Sequence, residues 1–314
     1  MFLFQLSCRC KEKKQADQQP ESREGGLMKN RLEGIIDIHI HAAPDVRERK
    51  LDDLELMEIA VARNVRGMVI KSHNVPTMDR ATLVNRVRKE KYPKSNFQMF
   101  GGIALNRSVG GINPWAVESA LKLGAKLVWL PTNTSENHYA KQGPGKAPAV
   151  PVVRDGKVVD ELQEVFRLIK EYDAVLETGH ISPEECFIVA AAARDAGVKK
   201  IVVTHPEFWV VGMSIEDQER IVKEYDVLLE HVYAQPIGGG KYRKNLEVNV
   251  ETMKRIGCEH FIVGTDSGQT VNPYWYESIG EYIDYLYDTA HFSKEEIDIM
   301  TKHNPGRMLG IETE

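Results

Sequence analysis

The sequence predicts a (β/α)8 TIM barrel, on three observations. Short β-branched runs recur along the chain, each ending in polar residues. Amphipathic helical sequence separates one run from the next. There are eight such units. Apolar strands alternating with helices mean a parallel sheet covered on both faces, and eight of them mean a closed barrel. An open doubly wound sheet would want a glycine-rich phosphate loop after its first strand, and "HIHAAPDV" is not one.

Taken in order, "GIIDIHIH" is the first strand, and "LDDLELMEIAVARN" leads to the second, "RGMVIKSHN". "DRATLVNRVRKEKYP" precedes the third, "QMFGGIALN", and "NPWAVESALKLG" the fourth, "AKLVWLPTN". "DELQEVFRLIKEY" precedes the fifth, "DAVLETGH", and "SPEECFIVAAAARDAG" the sixth, "KKIVVTHPE". "SIEDQERIVKEY" precedes the seventh, "DVLLEHVYA", and "LEVNVETMKRIGC" the eighth, "EHFIVGTDSG". Two further helical segments, "PYWYESIGEYIDYLYDTA" and "SKEEIDIMTKHNPGRMLG", close the chain. Ser182 and Ser293, each followed by acidic residues, are helix N-caps. Gly124 and Gly197 fall where helix C-termini need a left-handed residue.

One connection is long. Between the fourth and fifth strands, "VPVVRDGKVV" predicts a β-hairpin turning at Asp155-Gly156, after a Gly/Pro-rich arm. This insertion would hang over the catalytic face, as a lid or an oligomer contact. Residues 1–27 are charged, Gln-rich and predicted to be a disordered tail, leaving residues 28–314 as a single barrel domain.

The chain of 314 residues is 42% hydrophobic with net charge −5, so a sizeable core is expected and no basic surplus points to nucleic acid or anionic membrane. No apolar run approaches membrane-spanning length. The cysteines, Cys8, Cys10, Cys186 and Cys258, form no disulfide framework, which suits a reducing, cytoplasmic setting.

The polar strand ends carry the chemistry. His39 and His41 end the first strand, and alternation puts them on one face with Asp37 behind them. His73 lies just past the second strand, after Lys71. His180, His205 and His231 end the fifth, sixth and seventh, and Asp266 ends the eighth. His138 lies in the insertion, while His260, His291 and His303 read as surface or helix residues. Barrel active sites are built at the C-terminal ends of the strands. Imidazole and carboxylate converging there suit Zn²⁺, with Mn²⁺ and Fe²⁺ as alternatives.

In this ordered set the chain resembles the amidohydrolase superfamily: His-x-His after the first strand, histidines after the fifth and sixth, aspartate after the eighth. The resemblance covers residues 33 to 312, and "NPGRMLGI" resembles that superfamily's C-terminal segment. "KSHNVPT", "GGIALN", "VWLPTNTSENH" and "ETGHISPEE" resemble a little-characterised branch of it. The resemblance implies one or two divalent ions held by His39, His41, His180, His205 and Asp266. The superfamily's bridging lysine or glutamate after the fourth strand has no counterpart in "KLVWLPTN"; Lys71 or Glu177 are the available substitutes. Glu177 could equally orient a ligand imidazole, and His205 could hydrogen-bond substrate in a single-metal site. His73 and His138 are read as substrate contacts.

The implied reaction is hydrolysis of an amide, lactam, lactone or ester in a small molecule. Asp266 would be the general base, with His205, His231 or Lys71 stabilising the oxyanion. Nothing suggests a serine or cysteine nucleophile. The rivals are non-hydrolytic decarboxylation on the same barrel and metal-dependent phosphoester hydrolysis. The latter would gather cations such as Lys241, Arg243 and Lys244. A homo-oligomer is compatible with all of these.

Overall fold

A computed structural model describes residues 31–143 and 147–312. The expectation for the tail over residues 1–27 lies outside the described residues. Eight parallel strands run in the order of the chain: β1 (Ile36–His41), β2 (Gly67–Lys71), β3 (Gln98–Ala104), β4 (Leu127–Trp129), β5 (Val175–Glu177), β6 (Ile201–Thr204), β7 (Leu228–Val232) and β8 (Phe261–Gly264). Just past β8 the ring closes on β1, where His41 N–H donates to Ser267 O (2.8 Å) and Asp266 N–H to His39 O (3.0 Å).

Helices cover the outside: α1 (Asp53–Ala62), α2 (Met78–Lys91), α3 (Pro114–Lys122), α4 (Glu136–Gln142), α5 (Asp160–Glu171), α6 (Pro183–Ala196), α7 (Ile215–Tyr225), α8 (Leu246–Ile256) and α9 (Trp275–Asp284), with α10 (Lys294–Asp298) and α11 (Asn304–Leu309) at the end. Their starts follow from local chemistry. Ser182 Oγ accepts from Glu185 N–H while Glu185 Oε2 accepts from Ser182 N–H, so two orphan donors of α6 are satisfied reciprocally. Ser293 and Glu296 do the same for α10.

The barrel interior is layered. Its lower layer is apolar: Ile36 and Ile38 pack with Val69, Leu127, Val175, Val202, Leu228 and Ile262, and α11 contributes Met308 and Leu309. Two residues further along each strand, the next inward positions are Lys71, Trp129, Glu177, Thr204, Glu230 and Gly264. The polar layer therefore sits directly on the apolar one, at the strand ends.

β1 departs from this alternation. Its pairing with β2 advances three residues from Asp37 to Ile40 while β2 advances two, from Met68 to Ile70. That β-bulge lets His39 face inward although Ile38, its neighbour, does too. The expectation that Asp37 backs the two histidines on one face is thereby corrected. Asp37 faces the other way, accepting from Thr265 Oγ1 (2.6 Å) and Trp275 Nε1 of α9 (2.9 Å), and its carboxylate also takes the His39 backbone N–H (3.0 Å).

The insertion between β4 and β5 contains α4 and a short antiparallel pair, Val153–Arg154 with Lys157–Val158. Asp155 (φ 51°) and Gly156 (φ 73°) make the turn, and Arg154 pairs with Glu136 at the start of α4 (2.5 Å). After β7, Ala234–Gly238 and Lys241–Lys244 form a second hairpin. No helix among the described residues is long and apolar enough to cross a membrane.

Candidate metal centre

The bulged end of β1 brings both its imidazoles to Asp266, which leaves β8 with a left-handed backbone (φ 49°). His39 Nε2 lies 3.3 Å and His41 Nε2 3.1 Å from Asp266 Oδ1. Neither contact has hydrogen-bonding geometry, and His41 Nε2 has no hydrogen-bond partner among the described residues. The three ligand atoms lie within 4.8 Å of one another, close enough to share one metal ion. Gln269 Nε2 donates to Asp266 Oδ1 (3.2 Å) and steadies the carboxylate.

Beneath them stand Lys71 and Glu230. Glu230 Oε2 lies 3.0 Å from His39 Nδ1, and Lys71 Nζ lies 3.0 Å from His39 Nε2. With the Glu230 carboxylate as acceptor, the imidazole proton sits on Nδ1 and the Nε2 lone pair faces Lys71. Burial lowers the Lys71 pKa, and the carboxylates of Asp266, Glu230 and Glu177 oppose that. Burial raises Glu230 and the Lys71 cation opposes it, leaving the group at about 8. Glu177 is raised well above the usual range by burial and then by Glu230; its Oε2 accepts from Thr204 Oγ1 (2.7 Å).

The other imidazoles ring this core. His205, left-handed at φ 29°, stacks on His39 with ring centres 5.8 Å apart, and neither of its ring nitrogens has a hydrogen-bond partner among the described residues. His180 lies 5.0 Å from His205, placed by the turn at Gly179 (φ 64°). A Cβ on Gly179 would sit 2.4 Å from Leu130 O, so only glycine lets β5 present both Glu177 and His180. His73 lies 4.8 Å from His41 and 5.8 Å from His180, its Nδ1 on Thr132 Oγ1 (2.8 Å). Burial holds these imidazoles neutral: His39 and His205 fall to about 3, and His41, His73 and His180 lie well below the ordinary value.

His138 reaches the ring from α4, its Nδ1 3.0 Å from His180 Nδ1.

His231 does not reach it. On β7 the inward residue is Glu230, so His231 points out to Gln218 Oε1 on α7 (2.9 Å) and the Phe261 ring. The expectation that His231 stabilises an oxyanion is corrected by this strand phase. The acid that strand phase turns inward, Glu230, is a residue sequence reasoning missed. Its signal was an acid inside an apolar strand. Arg49 was also missed: it pairs with Asp45 (2.7 Å) and lies 3.3 Å from His41 Nδ1.

The residues fit a divalent cation. Glu177 Oε1, Glu230 Oε1, both His205 nitrogens and His41 Nε2 are buried polar atoms without hydrogen-bond partners among the described residues, which native interiors rarely tolerate unless an ion or water serves them. Nitrogen and carboxylate donors suit zinc-like ions. The Lys71 ammonium beside His39 Nε2 stands where a cation on that lone pair would stand.

Solved structures share the fold. An amidohydrolase from Pseudomonas aeruginosa aligns with a TM-score of 0.61 at 14% identity, over 88% of this chain and 95% of that one. Enamidase, described as a member of the amidohydrolase superfamily, aligns at 0.52 and 13%, over 90% of this chain and 68% of that one. A 2,6-dihydroxybenzoate decarboxylase bound to 2,6-dihydroxybenzoate aligns at 0.52 and 13%, over 89% and 100%. The likeness to the amidohydrolase superfamily thus holds at the level of the fold. No curated protein sequence matches the chain. Residues 34–230 match the model of a family of unknown function (DUF6282), and the chain belongs to that family.

Proposed function

We propose that this DUF6282 protein is a metal-dependent hydrolase that cleaves an amide, lactam, lactone or ester bond in a small molecule. His39, His41 and Asp266 would hold a divalent ion, most simply zinc, with His180, His205 and Glu177 completing the ligand set. The observation that carries the reading is the approach of two buried Nε2 atoms to within 3.1 and 3.3 Å of one carboxylate oxygen without hydrogen bonds between them.

A bound divalent ion would lower the pKa of a water from 15.7 to about 7 and polarise a carbonyl. Asp266, beside it and held by Gln269, would accept the proton of the attacking water and pass it to the leaving group. Glu230 would keep the His39 proton on Nδ1, as outer carboxylates do for ligating imidazoles. Lys71 would stay close enough to contribute positive charge, or a bridging group, at the same atoms. His73, over His41 at the mouth, would contact substrate.

The phosphoesterase alternative finds little support in its candidate cations. Lys241, Arg243 and Lys244 lie on the exposed hairpin after β7, and Lys244 is paired with Glu281. The second reading is decarboxylation on the same barrel, and a decarboxylase shares the fold. Purified protein loaded with Zn²⁺, Mn²⁺ or Fe²⁺, screened against lactones, N-acyl amino acids, phosphoesters and aromatic carboxylic acids, separates the readings. Release of carboxylate from lactones or amides supports hydrolysis. CO2 release without hydrolysis would overturn it.

A further inference from the structure

α4 is tied to one residue of the cluster. Ser135 Oγ and Asn137 Nδ2 both donate to the His180 backbone carbonyl (2.9 and 3.0 Å), and the next side chain, His138, meets the His180 ring. The two rings stack at 15° with centres 5.1 Å apart, Nδ1 facing Nδ1 at 3.0 Å. On its far side His138 Nε2 lies 3.0 Å from Gln142 Oε1.

Donor bookkeeping then orders the chain. A neutral imidazole has one N–H and one lone pair. The Gln142 carbonyl can only accept, so His138 carries its proton on Nε2. Its Nδ1 is therefore an acceptor, and the facing His180 Nδ1 must be the donor. That leaves the His180 Nε2 lone pair for the cluster. Reversing the outermost group reverses every link: a donor at position 142 would put the His138 proton on Nδ1 and the His180 proton on Nε2, closing that nitrogen to a cation.

We propose that His138 is a positioning residue: with Gln142 it fixes the tautomer of His180, so that the insertion after β4 sets whether His180 can ligate metal. This replaces the expectation that His138 contacts substrate, and it rests on the reading of His180 as a ligand. The relay runs from the exposed Gln142 at the end of α4, through the half-buried His138, to the buried His180. Its polarity can therefore be changed at a surface position without disturbing the barrel.

The test has two arms. In metal-free protein, long-range ¹H–¹⁵N spectra of labelled histidines report tautomers directly. His180 should be the Nδ1–H form in the wild type and in Gln142→Glu, whose carboxylate can only accept, and the Nε2–H form in Gln142→Lys. An Nε2–H form in the wild type, or no change with Gln142→Lys, overturns the relay whatever the metal does. In the second arm zinc affinity is measured by competition titration. His138→Leu should lose about 10–100-fold, the usual effect of removing an outer partner of a ligating histidine. His138→Asp, which restores an acceptor at the Nδ1 position, should recover most of it. If the tautomers respond as stated while zinc affinity ignores all these changes, the relay stands and His180 is not a ligand.

Discussion

Replacing His231 by glutamine tests the burial of this imidazole between β7 and α7. His231 is fully buried, and burial alone lowers its pKa from 6.5 to about 3. The folded state thus binds fewer protons at this site than the unfolded state, so the imidazole costs stability as pH falls from 6.5 toward 3. With those values the cost grows by about 2 kcal/mol between pH 7.5 and pH 5.0. Glutamine does not titrate and can still meet the Gln218 amide. The fixed cost of the substitution cancels in the comparison across pH. Urea unfolding of metal-stripped wild type and His231→Gln at the two pH values should show the variant gaining about 2 kcal/mol on the wild type at the lower pH. Parallel pH dependence, within about 0.5 kcal/mol, would contradict this: it would mean that His231 meets water and charges freely.

Three further outcomes follow from the site. Asp266→Asn keeps a ligating oxygen but cannot accept a proton, so it should retain much of its metal while losing turnover by about 10²–10⁴-fold, whereas His180→Asn should lose metal and turnover together; metal content and rate on the same samples check both. Lys71→Met removes the amine that competes for the His39 Nε2 lone pair, so zinc should bind at least as tightly as in the wild type; a clear loss would identify Lys71 as a ligand, carboxylated or not. Gly179→Ala forces a Cβ against Leu130 O at a left-handed backbone, and should cost about 2–4 kcal/mol in denaturant unfolding, with metal lost as Glu177 and His180 shift.

The barrel was legible because its signal repeats: each unit carries an apolar run, a polar end and a helix, and errors in one unit do not propagate. The strand-end histidines were legible because barrel topology brings strand ends together. Strand phase was not. "DVLLEHVYA" offers an acid and an imidazole side by side, and nothing local says which faces inward. That is decided by the neighbouring strands, through Leu228 in the apolar layer two residues before Glu230. The bulge in β1 was invisible for a related reason: it is a register difference between two strands, and no residue in "IIDIHIH" marks it. α4 had a weak sign, Ser135 before Glu136, but its meaning depends on the contact with His180 across 42 residues of sequence.

The central claim is that His39, His41 and Asp266 converge on a divalent ion. Metal analysis of protein purified without chelator, wild type beside a His39→Ala/His41→Ala double variant checked for folding by its melting transition, tests it most directly. The wild type should carry one or two divalent ions per chain, roughly the load such sites carry, and the variant should lose at least one. Wild-type protein carrying no metal and taking up none from added Zn²⁺, Mn²⁺ or Fe²⁺, or a folded variant retaining its full complement, would contradict it.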